Sequence, residues 1–160
     1  MPDMLSLSAH LAELHLDPDE VLALEGNPSG PLWVLLSGEL TVIKGGTEVN
    51  TITRPGAVIG EISLLLGHHH GSTVQAATPA TLRVAPDGRS FLDSDPAVMR
   101  LVAEGLARRV EFVSTYLADL KHQYGDAPGL AMVTDVLSTL SHHEHPPAQP
   151  GSARDPDPAY

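Results

Sequence analysis

Between Val21 and Ala85 short strand-prone runs are broken by turn residues every few positions, and that one pattern excludes most folds. The runs are Val21–Leu24, Leu32–Leu36, Leu40–Ile43, Val49–Thr53, Ala57–Ile59, Thr73–Ala77 and Thr81–Ala85. The breaks are Asp17-Pro18-Asp19, Asn27-Pro28-Ser29-Gly30, Ser37-Gly38-Glu39, Lys44-Gly45-Gly46, Pro55-Gly56 and Thr78-Pro79-Ala80. No segment among them has the length and period of the crossover helices that a parallel sheet requires. The spacing predicts about eight short strands closed into a roll or barrel. Upstream, Leu5, Leu7, Leu11 and Leu14 fit part of a short helix.

After the strands the period changes. Asp95-Pro96 offers an acidic N-cap followed by proline at the first helical position. Val98, Leu101, Val102, Leu106, Val110, Val113, Leu117 and Leu120 then recur at three- and four-residue spacing, which predicts one long helix. Phe112 and Tyr116 widen its apolar face. Such a helix can cover a roll and present a face to a second copy. Gly105 lies in its middle at about 1 kcal/mol below alanine in propensity, and a structural reason for it would be close approach of another backbone. Leu130, Val133, Val136, Leu137 and Leu140 predict a short amphipathic helix. From His142 the chain is rich in Pro, His and Asp and lacks periodicity, which predicts a disordered tail.

Composition narrows the function. There is no cysteine among the 160 residues, which excludes disulfides and thiol catalysis and fits a cytoplasmic protein. The formal charge is -11, and a nucleic-acid interface would gather positive charge instead. No apolar stretch reaches the length of a membrane span, and the start of the chain has no basic segment typical of a secretion signal. No Walker loop, nucleophile elbow or metalloprotease helix pattern is present, so an enzyme is not expected.

The order of Ser37-Gly38-Glu39, Arg54-Pro55-Gly56, Gly60-Glu61-Ile62-Ser63-Leu64-Leu65 and a long helix around Arg108-Arg109 resembles the cyclic-nucleotide-binding domain of catabolite-activator-like regulators, cyclic-nucleotide-dependent kinases and gated channels. The resemblance spans roughly residues 14–121. It implies a mainly β fold with helices, a jelly-roll-like β-roll followed by a long C-terminal helix. It places a sensor domain at 1–121 with the helix at about 96–121, a linker and short helix at 122–141, and the tail at 142–160.

The family's phosphate cassette corresponds to Gly60–Val74. By that resemblance Glu61 accepts from a ribose hydroxyl, and backbone N–H groups of Glu61, Ile62 and Ser63 face the phosphate, with Leu64 and Leu65 packed inward. The family's Pro-Arg pair falls on His69-His70, followed by Gly71 and Ser72. Arginine is a permanent cation with a fixed fork of donors, whereas histidine offers one ring donor and is mostly neutral at pH 7. A nearby phosphate would raise its pKa and make binding favour mild acidity. On the long helix, Arg109 is a candidate structural ion pair, and Val113 and Ser114 match positions that reach the base, with Ser114 able to keep a polar contact.

The resemblance implies a regulatory module that takes cyclic AMP, cyclic GMP or another small anion and signals through a homodimer or protein partner. It implies no cofactor, nucleic acid or membrane. The acidic residues after Lys121 do not suit the winged helix-turn-helix found in many bacterial relatives. Two alternatives stay open: a degenerate scaffold that binds no nucleotide, and a small β-barrel metal-dependent enzyme. His68, His69 and His70 have metal-binding chemistry, but consecutive histidines rarely reach one ion, and no metal site is assigned.

Overall fold

Leu32, Trp33, Val34 and Leu35 are consecutive and all buried, which requires cover on both faces of their strand. The computed structural model describes residues 1–124 and 131–142 and supplies that cover. The elements in chain order are α1 (Met4–Leu7), β1 (Ala12–Leu16), β2 (Val21–Ala23), β3 (Leu32–Ser37), β4 (Leu40–Lys44), β5 (Thr47–Ile52), β6 (Val58–Ile59), α2 (Glu61–Leu66), β7 (Thr73–Ala76), β8 (Ala80–Ala85), α3 (Gly88–Ser94), α4 (Pro96–Tyr124) and α5 (Ala131–His142). Eight strands form two four-stranded sheets, ordered β1-β8-β3-β6 and β2-β7-β4-β5, with every recorded pair antiparallel. This is the expected β-roll with its long following helix.

The core lies between the sheets. Trp33, Leu35 and Leu82 from one sheet meet Leu40, Val74 and Ala76 from the other. Leu32 and Val34 point the opposite way, because neighbouring strand residues face opposite sides. Helices α1 and α3 lie against β3. Arg83 fixes α1 from β8, donating to the Leu5 carbonyl at 2.6 Å and to the fully buried Ser8 hydroxyl at 3.2 Å.

Three expectations change. Leu11 and Leu14 do not extend α1, which ends at Leu7. Residues 12–16 instead pair with β8 from Ala12↔Val84 to Leu16↔Ala80, and Leu14 and Leu16 alternate inward with the period of a strand. Helix α3 was not expected. Its sequence signal is short: Asp87 accepts from Ser90 N at 3.1 Å as an N-cap, and Phe91 and Leu92 are buried. Third, Gly105 meets no close backbone within this chain: among the described residues, beyond its own helix, nothing lies within 4 Å of where a Cβ would stand.

The chain divides into two units, one ending at Val102 and the other starting at Ala103. In the first, α4 begins as expected, with the Asp95 carboxylate accepting from Ala97 N at 2.8 Å and with Val98 and Val102 buried. In the second, Val110, Phe112, Val113 and Tyr116 are exposed. The expected tail beyond His142 and most of the expected linker lie outside the described residues. No described helix is long and apolar enough to cross a membrane.

Candidate ligand cassette

Strand β6 pairs with β3 at Trp33↔Ile59, which delivers Gly60 directly onto the Trp33 indole. Gly60 has φ +95°, and a Cβ there would stand 3.0 Å from the Pro31 carbonyl and 3.2 Å from Trp33 Cζ3. Both the left-handed turn and the contact call for glycine. Helix α2 starts at the next residue. Glu61, Ser63 and Leu64 are buried in it, with Glu61 only 4% exposed. Leu64 therefore packs inward as expected. Leu65 does not: it is 43% exposed, because it lies on the outer face of α2 with Ile62 and Leu66.

Ser63 holds the cassette together. Its carbonyl accepts from Gly67 N at 2.9 Å and from His68 N at 3.1 Å, which ends the helix. Its hydroxyl donates to the Gly60 carbonyl at 3.2 Å and lies 3.2 Å from His70 Nδ1. A hydroxyl has one proton, so with that proton on Gly60 the Ser63 oxygen accepts and Nδ1 of His70 carries the hydrogen. Arg89 Nη2 closes the far end of α2 by donating to the Leu64 carbonyl at 3.3 Å.

His70 is fixed by backbone as well as ring. Its N–H donates to the Asn27 carbonyl at 2.9 Å, and its carbonyl accepts from Gly26 N at 2.8 Å. The ring is 8% exposed and its centroid is 6.1 Å from that of Trp33, tilted by 37°. Burial holds its pKa below the ordinary histidine value, and the neighbouring His69 pushes the same way. The side chain is thus neutral at pH 7. The expectation of a raised pKa supposed a phosphate beside the ring; in this arrangement the ring faces a hydroxyl and an indole instead.

Gly71 and Ser72 are half-buried and lead into β7, where Thr73 Oγ1 accepts from Glu25 N at 3.0 Å. The first unit thus brings Gly60, Glu61, Ile62, Ser63, His70, Gly71 and Ser72 into one turn-helix-turn, with the Ile62 side chain exposed. Arg109 and Ser114 lie on the part of α4 in the second unit, Arg109 exposed and Ser114 half-buried. His68 donates from Nδ1 to the His69 carbonyl, and its buried Nε2 has no hydrogen-bond partner among the described residues. Among the described residues no group of three His, Asp or Glu side chains is placed to hold a metal.

Sequence reasoning missed the roles of Asn27, Trp33 and Arg89. Asn27 acts through its carbonyl and leaves no side-chain signal. Trp33, within the run Leu32–Leu36, reads in the sequence simply as a core or lid-facing aromatic.

A model of the cyclic nucleotide-binding domain family matches residues 13–105. No curated protein matches the chain. Among solved structures, the N-terminal domain of a transcriptional regulator from Streptomyces coelicolor A3(2) is 25% identical, covers 66% of this chain and 79% of its own, and superposes with a TM-score of 0.51. PKAR CBD2 with Sp-2Cl-cAMPS bound is 23% identical over 71% of this chain and 74% of its own, with a TM-score of 0.55. The regulatory subunit of a cAMP-independent protein kinase A from Trypanosoma brucei is 21% identical, with a TM-score of 0.55 over 63% of this chain and 37% of its own. The last two share the fold. The roll, the Gly60-Glu61 cassette and a family match over more than half the chain agree, and the chain belongs to the cyclic nucleotide-binding domain family.

Proposed function

We propose that this chain is a regulatory binding module whose cassette takes a phosphate-bearing small ligand of the cyclic-nucleotide class and lacks the cation at position 70. The observation that supports it is the ready-formed cassette: Ser63 ties Gly60 to His70, and Glu61 is buried at the start of α2. Cyclic AMP and cyclic GMP are the ligands to try first, because PKAR CBD2 carries Sp-2Cl-cAMPS on this fold. A neutral His70 forfeits a charge-assisted bond of about 1.5–3 kcal/mol. Binding is therefore weaker by about 10- to 100-fold than an arginine would give.

The module signals by binding, not by catalysis. Its readout is a second copy or a protein partner on the exposed apolar residues of α4, among them Phe112 at 72% exposure and Tyr116. Such a switch needs two states with different affinity for the ligand.

One observation favours a second reading. Nδ1 of His70 is already engaged within the chain by Ser63, which suits a scaffold that needs no nucleotide. The Trypanosoma brucei structure is the regulatory subunit of a cAMP-independent protein kinase A. Calorimetric titration with cyclic AMP and cyclic GMP separates the two. Saturable binding is expected. Absence of heat and of thermal stabilisation at millimolar nucleotide, with folded protein, would leave the scaffold.

A further inference from the structure

Where the cassette rejoins the sheet, a lysine lies against it. Lys44 is the last residue of β4, and its neighbour Ile43 pairs with Thr73 of β7. The side chain therefore runs beside the Gly71–Ser72 entry to β7. Its Nζ is 3.6 Å from the point where a Cβ on Gly71 would stand. Gly71 presents only backbone, so the ammonium reaches the cassette itself. Lys44 is half-buried, where solvent screens a charge less than on an open surface.

An acid shares the turn. Glu25 Oε2 accepts from Gly45 N at 3.1 Å, one residue beyond Lys44, while the Glu25 N–H is held by Thr73 Oγ1. The neutral His70 ring, turned onto Ser63, supplies no charge on this side.

We propose that Lys44 is the cation that meets a bound ligand's phosphate beside Gly71, in place of a charged residue at position 70. This rests on the nucleotide-binding reading above. An ammonium is a compact charge with rotatable donors and imposes no planar fork on its partner. The site thus selects negative charge at this point more than phosphate geometry.

The test is calorimetric titration of the full chain with cyclic AMP, and separately cyclic GMP, for wild type, Lys44→Met and Lys44→Arg. Thermal melting of each variant checks the fold. Lys44→Met is expected to weaken binding by about tenfold or more, with Lys44→Arg keeping most of it. The salt dependence of the affinity should flatten in Lys44→Met. Nucleotide binding by wild type that Lys44→Met leaves within about twofold overturns the role of Lys44 and leaves the nucleotide reading standing. No binding of either nucleotide by folded wild type overturns both.

Discussion

The Ser63 hydroxyl lies 3.2 Å from Nδ1 of His70, and both side chains are buried. This contact ties α2 to the far side of the turn that follows it and decides what the histidine can do. Ser63→Ala leaves the His70 ring Nδ1–H without its acceptor, a loss of about 1–3 kcal/mol. The expected result is a lower urea midpoint at unchanged m-value, followed by fluorescence of Trp33, the only tryptophan in the sequence. An unchanged midpoint would mean the pair contributes nothing.

The depressed pKa of His70 has a signed consequence for stability. Above the unfolded histidine value of about 6.5 the group is neutral in both states and contributes no pH dependence. As pH falls below that value the unfolded chain takes up a proton that the folded chain refuses, and stability declines until the folded pKa is passed. Comparing wild type with His70→Asn isolates this part from the other histidines. The stability difference between them should shift in favour of the variant as pH drops from 7 toward 5. A constant difference across that range contradicts a buried neutral histidine.

His70→Arg restores a permanent cation at the expense of the Ser63 contact and the Trp33 packing. It should lower thermal stability and tighten cyclic AMP by about tenfold or more. Lower stability without any gain in affinity would show that an arginine at 70 does not reach the ligand.

Two glycines make a contrasting pair. A Cβ on Gly88 would stand 2.5 Å from Leu64 Cδ1 and 2.7 Å from the Gly30 carbonyl, and a backbone oxygen yields little. Gly88→Ala should destabilise by about 1–3 kcal/mol. Gly105→Ala has open space and should stabilise α4 by up to about 1 kcal/mol. Melting at two protein concentrations adds information: a loss of concentration dependence in Gly105→Ala would place a second copy at that glycine.

The strands and α4 were legible because alternation, turn residues and a 3.6-residue period are local properties. The cassette was legible through Gly60-Glu61 and its distance to position 70. The direction of His70 was not, because Ser63 and the distant Trp33 set it through tertiary contact. The same limit applies to Lys44, which reads in sequence as a hairpin residue and acquires its place from the β4–β7 register. Leu11 and Leu14 misled because a three-residue spacing suits a helix over so short a run, while the period-two partner of Leu14 in β1 is Leu16.

Between Leu64 and the Gly30 carbonyl there is room at position 88 for glycine and no larger residue. Arg89, one residue on, grips the Leu64 carbonyl, so α2 and α3 are coupled in compression by the glycine and in tension by the guanidinium. Only Asp95 separates α3 from α4, and its carboxylate caps the first turn of that helix. A displacement of α2 by a ligand would then reach the start of α4 as a push or pull through atoms already in contact. If the cassette takes a ligand as proposed, rigid spacers rather than any refolding of the roll would set the stroke.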